Sequence, residues 1–328
     1  MLNKHITEEH NMKKALKVIG KILLGILIVI ILFLLGLFAY HRVMLSREKE
    51  LLKNCPGEFV EVDGQNMSIY VSGEGEHTLV FMSGAGITLP IYDFKPFTER
   101  FEDDYKVVVI EKFGYGFSDG YDGPRDVETR VRQDREALKA AGIDGPYILC
   151  PHSYSGLEAV YWAQNYPGET EAIIGLDMAV PTSYDSFDEK TISTVNSSSS
   201  LTRALRKMGI IRLFAGSGSM PGYLTEEEKK ASVAVICSRY SNETASAETD
   251  YVIPDRELIE SKAAPDVPTL LIISDGTVTD GWIGFENDYA SSISDATTVQ
   301  LDCGHDVYNQ EPDRCEQAMR EFIKGLDE

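Results

Sequence analysis

Cys150-Pro151-His152-Ser153-Tyr154-Ser155-Gly156 closes an apolar strand and opens a helix, with a serine at the junction. The strand reads Tyr147-Ile148-Leu149-Cys150, and the helical pattern runs over residues 155–164. A serine on so tight a turn has its hydroxyl pushed out beyond the sheet edge, and the N–H of the next residue faces the same space. That geometry suits an attacking nucleophile. A serine that only caps a helix reads the same way over this stretch, since Ser is a favoured N-cap. Other parts of the chain separate the two readings.

Near the C-terminus, Thr297-Thr298-Val299-Gln300-Leu301-Asp302-Cys303-Gly304-His305-Asp306 is a β-rich run that ends in Gly-His. Glu311-Pro312-Asp313 then starts a helix expected to reach residue 323. His305 therefore falls on a loop beyond a strand, where an imidazole reaches across a sheet toward a serine. Upstream, Thr78-Leu79-Val80-Phe81-Met82 is a strand followed by Ser83-Gly84-Ala85-Gly86. Glycines there let backbone amides turn inward, as an oxyanion site requires; a plain strand-end turn has the same composition. A further strand over residues 106–111 leads into Phe113-Gly114-Tyr115-Gly116-Phe117-Ser118-Asp119.

Taken in order, these segments resemble the α/β-hydrolase family over residues 58–326. The resemblance rests on a glycine-containing turn after the third strand, a glycine-rich loop after the fourth, the elbow after the fifth and a Gly-His near the end. The order Ser, acid, His also matches that fold. Four positions depart from the pattern. Pro151 replaces the elbow's first small residue, Ser83 stands where many members have His, and Glu111 and Phe113 stand where Asp and Arg are common. None of these removes a group that does chemistry. The resemblance implies an α/β fold with a mostly parallel sheet, helices on both faces and a helical cap. It also implies a catalytic Ser153 and His305, with the backbone N–H groups of Tyr154 and Ala85 as the oxyanion hole.

The acid has more than one candidate. The usual place follows the seventh strand, Pro268-Thr269-Leu270-Leu271-Ile272-Ile273-Ser274, but the register there falls on Thr277, with Asp275 and Asp280 to either side. The alternative ends the sixth strand, Ala172-Ile173-Ile174-Gly175-Leu176-Asp177-Met178-Ala179-Val180-Pro181. Some haloalkane dehalogenases of this fold place the acid there, four residues before a proline. Asp177 is preferred, Asp275 is the alternative acid and Asp280 comes third. A serine hydroxyl needs a base to take its proton as it attacks. Histidine suits both accepting and returning that proton, and a carboxylate on the far ring nitrogen fixes the tautomer. His152, beside the serine, reads as structural.

Residues 22–40 form an apolar run without charge, close to the roughly 20 residues that span a bilayer. Lys4, Lys13, Lys14, Lys17 and Lys21 precede it against Glu8 and Glu9. This excess favours a cytoplasmic N-terminus over residues 1–21, with everything after the span outside. The run exceeds the apolar core of a cleaved signal peptide and no small-residue cleavage site follows, so an uncleaved anchor is expected. Residues 41–57 read as a charged stalk and residues 58–328 as one domain. An insertion at about 181–267 is the expected cap, with helical signals at 201–208 and a capping box at Thr225-Glu226-Glu227-Glu228. Ile210 and Phe214 are candidate linings of an apolar acyl pocket, or the underside of the cap packing on the core.

The formal net charge of −21 disfavours nucleic acid as a partner. The five cysteines have no metal-ligand spacing, and no cofactor is implied; Cys303 and Cys315 are candidates for a disulfide across the last loop. Asn66, Asn196 and Asn242 head glycosylation sequons, which matter only in a eukaryotic secretory host. The expected function is a membrane-anchored serine hydrolase acting on a small-molecule or lipid-like acyl substrate, an ester by default and otherwise a thioester or amide. Two other readings share the fold: a non-catalytic relative that binds or scaffolds, and a related enzyme performing C–C hydrolysis or acyl transfer.

Overall fold

The structure is a computed structural model that describes residues 2–328; the side chains of residues 2–9 and of Asn11, and with them Lys4, Glu8 and Glu9 of the basic flank, lie outside the described residues. Eight strands form one sheet: β1 (Glu58–Val62), β2 (Gln65–Ser72), β3 (Thr78–Met82), β4 (Lys106–Glu111), β5 (Tyr147–Ser153), β6 (Thr170–Met178), β7 (Thr269–Ile273) and β8 (Ala296–Gln300). Their order is β1-β2-β4-β3-β5-β6-β7-β8. Only β2 runs against the rest, pairing antiparallel with β1 and β4 while every other pair is parallel. β3 and β7 are buried at every position, as strands covered on both faces must be.

The two faces sort the strand residues by alternation. Val80, Met82, Leu149 and Ile173 meet helices Val127–Ala140, Ser155–Asn165, Val252–Glu260 and Trp282–Ser291 on one side. Leu79, Phe81, Ile148 and Ile174 meet helices Pro90–Thr98 and Pro312–Leu326 on the other. A cluster of Phe81, Phe94, Phe97 and Phe101 forms much of that second layer, with ring centroids 5.2–6.3 Å apart. This is the α/β-hydrolase fold. The strand order reverses between β4, β3 and β5, and the carboxyl ends of β3 and β5 meet there, the usual place for a site in an open α/β sheet.

Between β6 and β7 the chain leaves the sheet and builds the helical cap, with helices Glu189–Lys207, Glu226–Arg239 and Glu243–Ala247. The capping box forms as read: Thr225 Oγ1 accepts the Glu228 N–H, and Glu228 Oε2 accepts the Thr225 N–H. The N-terminal helix, Leu2–Arg47, includes a stretch long and apolar enough to cross a membrane. Residues 41–57, the segment read as a charged stalk, are partly helical and partly buried. The helix continues to Arg47, a 3-10 turn follows over Glu48–Lys53, and His41 and Glu48 are buried against the cap. The reason is an ion pair that composition cannot reveal: Arg212 holds both Glu48 carboxylate oxygens at 2.7 Å. The Cys303–Cys315 disulfide is corrected, since all five cysteines are free thiols.

Candidate active site

The elbow takes its shape from three short sequence features. Ser153 ends β5 with φ at +54°, a left-handed backbone that costs a non-glycine residue about 1–3 kcal/mol and is characteristic of this turn. Ser155 follows as the first residue of the helix, and its hydroxyl donates to the carbonyls of Met82 and His152 at 2.7 and 2.8 Å. That pair ties the end of β3 to the elbow. Gly156 lies against the Ala179 backbone, where any side chain would overlap the Ala179 carbonyl, and the Ala179 N–H in turn donates to the Ser153 carbonyl at 2.7 Å. Pro151, the atypical elbow residue, sits within the strand opposite Met82.

The glycine turn after β3 stands directly over the serine. A Cβ on Gly84 would come within 2.6 Å of Ser153 Cβ, so only glycine allows this approach. Ala85 is exposed beside it and lines a cavity of about 310 Å³ with Gly86, Thr88 and Tyr115 from the core and Ser198 and Thr202 from the cap. Tyr154 opens the helix, where the first N–H groups lack intrahelical partners.

Asp177 lies fully buried at the end of β6, with its own φ at +49°. Its Oδ2 is 2.6 Å from His305 Nδ1, the geometry of a ring N–H on a carboxylate. Its Oδ1 accepts the Ser274 N–H at 2.7 Å and the Trp282 indole N–H at 2.8 Å. The Trp282 ring also stands edge-on to the His305 ring, 5.7 Å away. Asp275 turns elsewhere: its Oδ1 closes on the N–H and hydroxyl of Thr277, two residues on. Asp280 is exposed on the same loop. Among the described residues no hydrogen bond closes between the Ser153 hydroxyl and His305, a contact that often tightens only with substrate.

His152 packs against His305 with ring centroids 4.6 Å apart, and its Nε2 lies 3.3 Å from the His305 carbonyl. Burial, helped by the neighbouring His305, pushes its pKa down to about 3, so it stays neutral at physiological pH. Glu111 holds the loop after β4: its carboxyl accepts the N–H groups of Phe117 at 2.7 Å and Ile91 at 3.3 Å. Burial raises that carboxyl to about 7.

Two features lie beyond the sequence reading. Trp282 is one, because nothing local marks a partner that lies on a separate segment of the chain. The other is a buried charge network under Tyr154. Arg130 bonds Glu158 at 2.6 Å, Asp255 at 3.1 Å and the Tyr154 hydroxyl at 3.2 Å, and Arg125 bonds Glu248 at 2.6 Å. It joins the elbow to the segment that closes the cap. The candidate acyl-pocket residues lie away from this cavity. Phe214 is 76% exposed and neither it nor Ile210 lines the cavity beside Ala85, because the turn that carries them packs on the N-terminal helix instead. Among the described residues no group of three or more candidate metal ligands occurs.

No protein-family model matches the chain. It is 31% identical to the uncharacterised protein YbdG of Bacillus subtilis over 327 residues, covering 96% of this chain and 100% of that one. Among solved structures it is similar to a thermophilic esterase from Thermogutta terrifontis, with 17% identity, a TM-score of 0.63, and 83% of this chain and 99% of that one covered. It is likewise similar to the Cif epoxide hydrolase from Acinetobacter nosocomialis, with 16% identity, a TM-score of 0.65, and coverage of 87% and 96%.

Proposed function

The chain belongs to the family of Bacillus subtilis YbdG and has the α/β-hydrolase fold, and from that premise we propose that it is a membrane-anchored serine hydrolase. Ser153 is the nucleophile, His305 the base and Asp177 the acid. The observation that carries the reading is the 2.6 Å His305–Asp177 contact, with two further N–H donors on the same buried carboxylate.

In this reading His305 Nε2 takes the Ser153 proton as the hydroxyl attacks the acyl carbon. The tetrahedral oxyanion is held by the N–H groups of Tyr154 and Ala85, each such donor being worth about two to three orders of magnitude in rate. The imidazolium returns the proton to the leaving alcohol, and a water deprotonated by the same ring then releases the acid from Ser153. Asp177 fixes the ring tautomer and steadies the imidazolium. Esters are the substrate class that this machinery serves by default, with thioesters and amides beyond it. Residues 22–40 span the bilayer, residues 1–21 lie in the cytoplasm and residues 58–328 act outside it, with the insertion at about 181–267 as the cap.

A fluorophosphonate probe tests the chemistry. Wild type is expected to label and Ser153→Ala to lose labelling while keeping its melting temperature. Asp177→Asn should lower turnover of a small ester by about 10⁴-fold, as loss of the correct tautomer does elsewhere, and Asp275→Asn should leave it within about twofold. A folded wild type that fails to label sinks the hydrolase reading, and the reverse order of the two Asn variants moves the acid to the later loop.

A further inference from the structure

The cap carries an exposed apolar turn that the proposed chemistry does not use. Phe214 is 76% exposed, Leu213 53% and Met208 38%, and the three flank or end the 3-10 turn Ile210–Leu213. The turn is seated on the N-terminal helix. Gly209 backs onto the His41 side chain, and a Cβ there would stand 3.3 Å from the Leu37 carbonyl. Arg212 is clamped on Glu48 at 2.7 Å, with its Nε 3.3 Å from His41 Nδ1. Leu37, His41 and Glu48 are buried and Leu34 and Met44 half-buried, a three-to-four spacing that gives one helix face to the cap. Most of the other side chains over residues 22–40 stay exposed.

The depth of this seat matters. Leu37 lies within the apolar run of residues 22–40, roughly 4.5 Å along the axis from its end at 1.5 Å per residue. A segment that packs over Leu37 therefore hangs beside the last turn of the apolar run rather than above it. In a bilayer spanned by residues 22–40, that level is the boundary of headgroups and acyl chains, where Phe and Leu are buried about 5–10 Å deep by interfacial elements. Arg42 is exposed one residue past His41, at the level of lipid phosphates. Lys207, on the cap side, is already paired with Glu243 at 2.6 Å.

We infer that residues 208–214 form a second membrane contact, in which Met208, Leu213 and Phe214 insert into the interface of the bilayer that the N-terminal helix spans. The occupant is lipid because the turn continues the surface of the apolar helix itself. The inference rests on the membrane-spanning reading. It also bears on the site, since helix Glu189–Lys207 carries the cavity residues Ser198 and Thr202 and ends at this turn. The cavity mouth then sits close to the bilayer surface.

The test uses the full chain in phosphatidylcholine nanodiscs, one copy per disc, with and without brominated acyl chains. Phe214→Trp places a reporter at an exposed position where it is tolerated, and Leu32→Trp reports the span; native Trp162 and Trp282 are buried and their emission is subtracted. Bromine is expected to lower the added emission of both variants about twofold or more, as insertion to the acyl boundary requires. Quenching of Leu32→Trp without quenching of Phe214→Trp overturns the contact and leaves the anchor standing. Blue-shifted but unquenched Phe214→Trp emission means that protein covers the turn, which also overturns it. If neither is quenched, the spanning reading fails and this inference fails with it.

Discussion

At the scale of single residues, the candidate site depends on which polar atoms face the acid. Asp177 is fully buried and receives three donors, two of them from outside the sequence motifs: the Ser274 N–H and the Trp282 indole. Trp282→Phe removes one charge-assisted hydrogen bond, which is worth about 1.5–3 kcal/mol. Steady-state kinetics on a small ester should show kcat lowered about tenfold or more at little change in KM; an unchanged kcat would mean that the indole only fills space. His152 supplies a pH prediction. Its pKa falls from an ordinary 6.5 to about 3 on folding, chiefly through burial. Below pH 6.5 the unfolded chain takes up a proton that the folded chain refuses, so stability is full above 6.5 and declines as pH drops toward 3. Between pH 6.5 and 4.5 this amounts to roughly 2–3 kcal/mol. Urea unfolding at the two pH values should show that loss in wild type and a smaller one in His152→Gln; equal losses would reject the assignment. The turn that carries Ser153 and the loop that carries His305 were legible because each is set by its immediate neighbours. The acid was less so, because both candidate loops carry an Asp and only the sheet decides which one reaches the imidazole.

At the scale of elements, the cap and core meet through charge as well as apolar packing. Arg125 lies before helix Val127–Ala140 and bonds Glu248 in the chain that closes the cap, while Asp255 accepts the Val127 N–H at 2.9 Å. Both partners of the Arg125–Glu248 pair are almost fully buried. Breaking such a pair leaves an uncompensated buried charge and costs about 3–5 kcal/mol. Arg125→Met is therefore expected to lower unfolding free energy by that amount, while the double variant Arg125→Met, Glu248→Met recovers most of it. A single variant as stable as wild type would show that the pair contributes nothing. Strands and helices were readable from alternation and caps, with Thr225 and Glu228 forming the box that the sequence marks. The network was not. Its charges lie on segments far apart, and each alone looks like an ordinary surface residue.

At the scale of the whole molecule, the cap lies between the hydrolase core and the N-terminal helix. A cut after residue 40 severs Leu37 from its seat but keeps His41 and the Glu48–Arg212 pair. Residues 41–328 should therefore melt several degrees above residues 54–328, because the shorter chain loses the Glu48–Arg212 pair and the packing of His41 on Gly209. Equal melting temperatures would mean that the helix end only rests on the cap. Sequence alone made residues 41–57 a charged stalk, and the Glu48–Arg212 contact was not legible because its partner is far along the chain. The Glu48–Arg212 clasp has a mechanical consequence. The cap is fastened to the sheet at both ends and to the helix at its middle, so it cannot swing away as a free flap. A swing of the cap away from Ser153 would have to break the Glu48–Arg212 clasp.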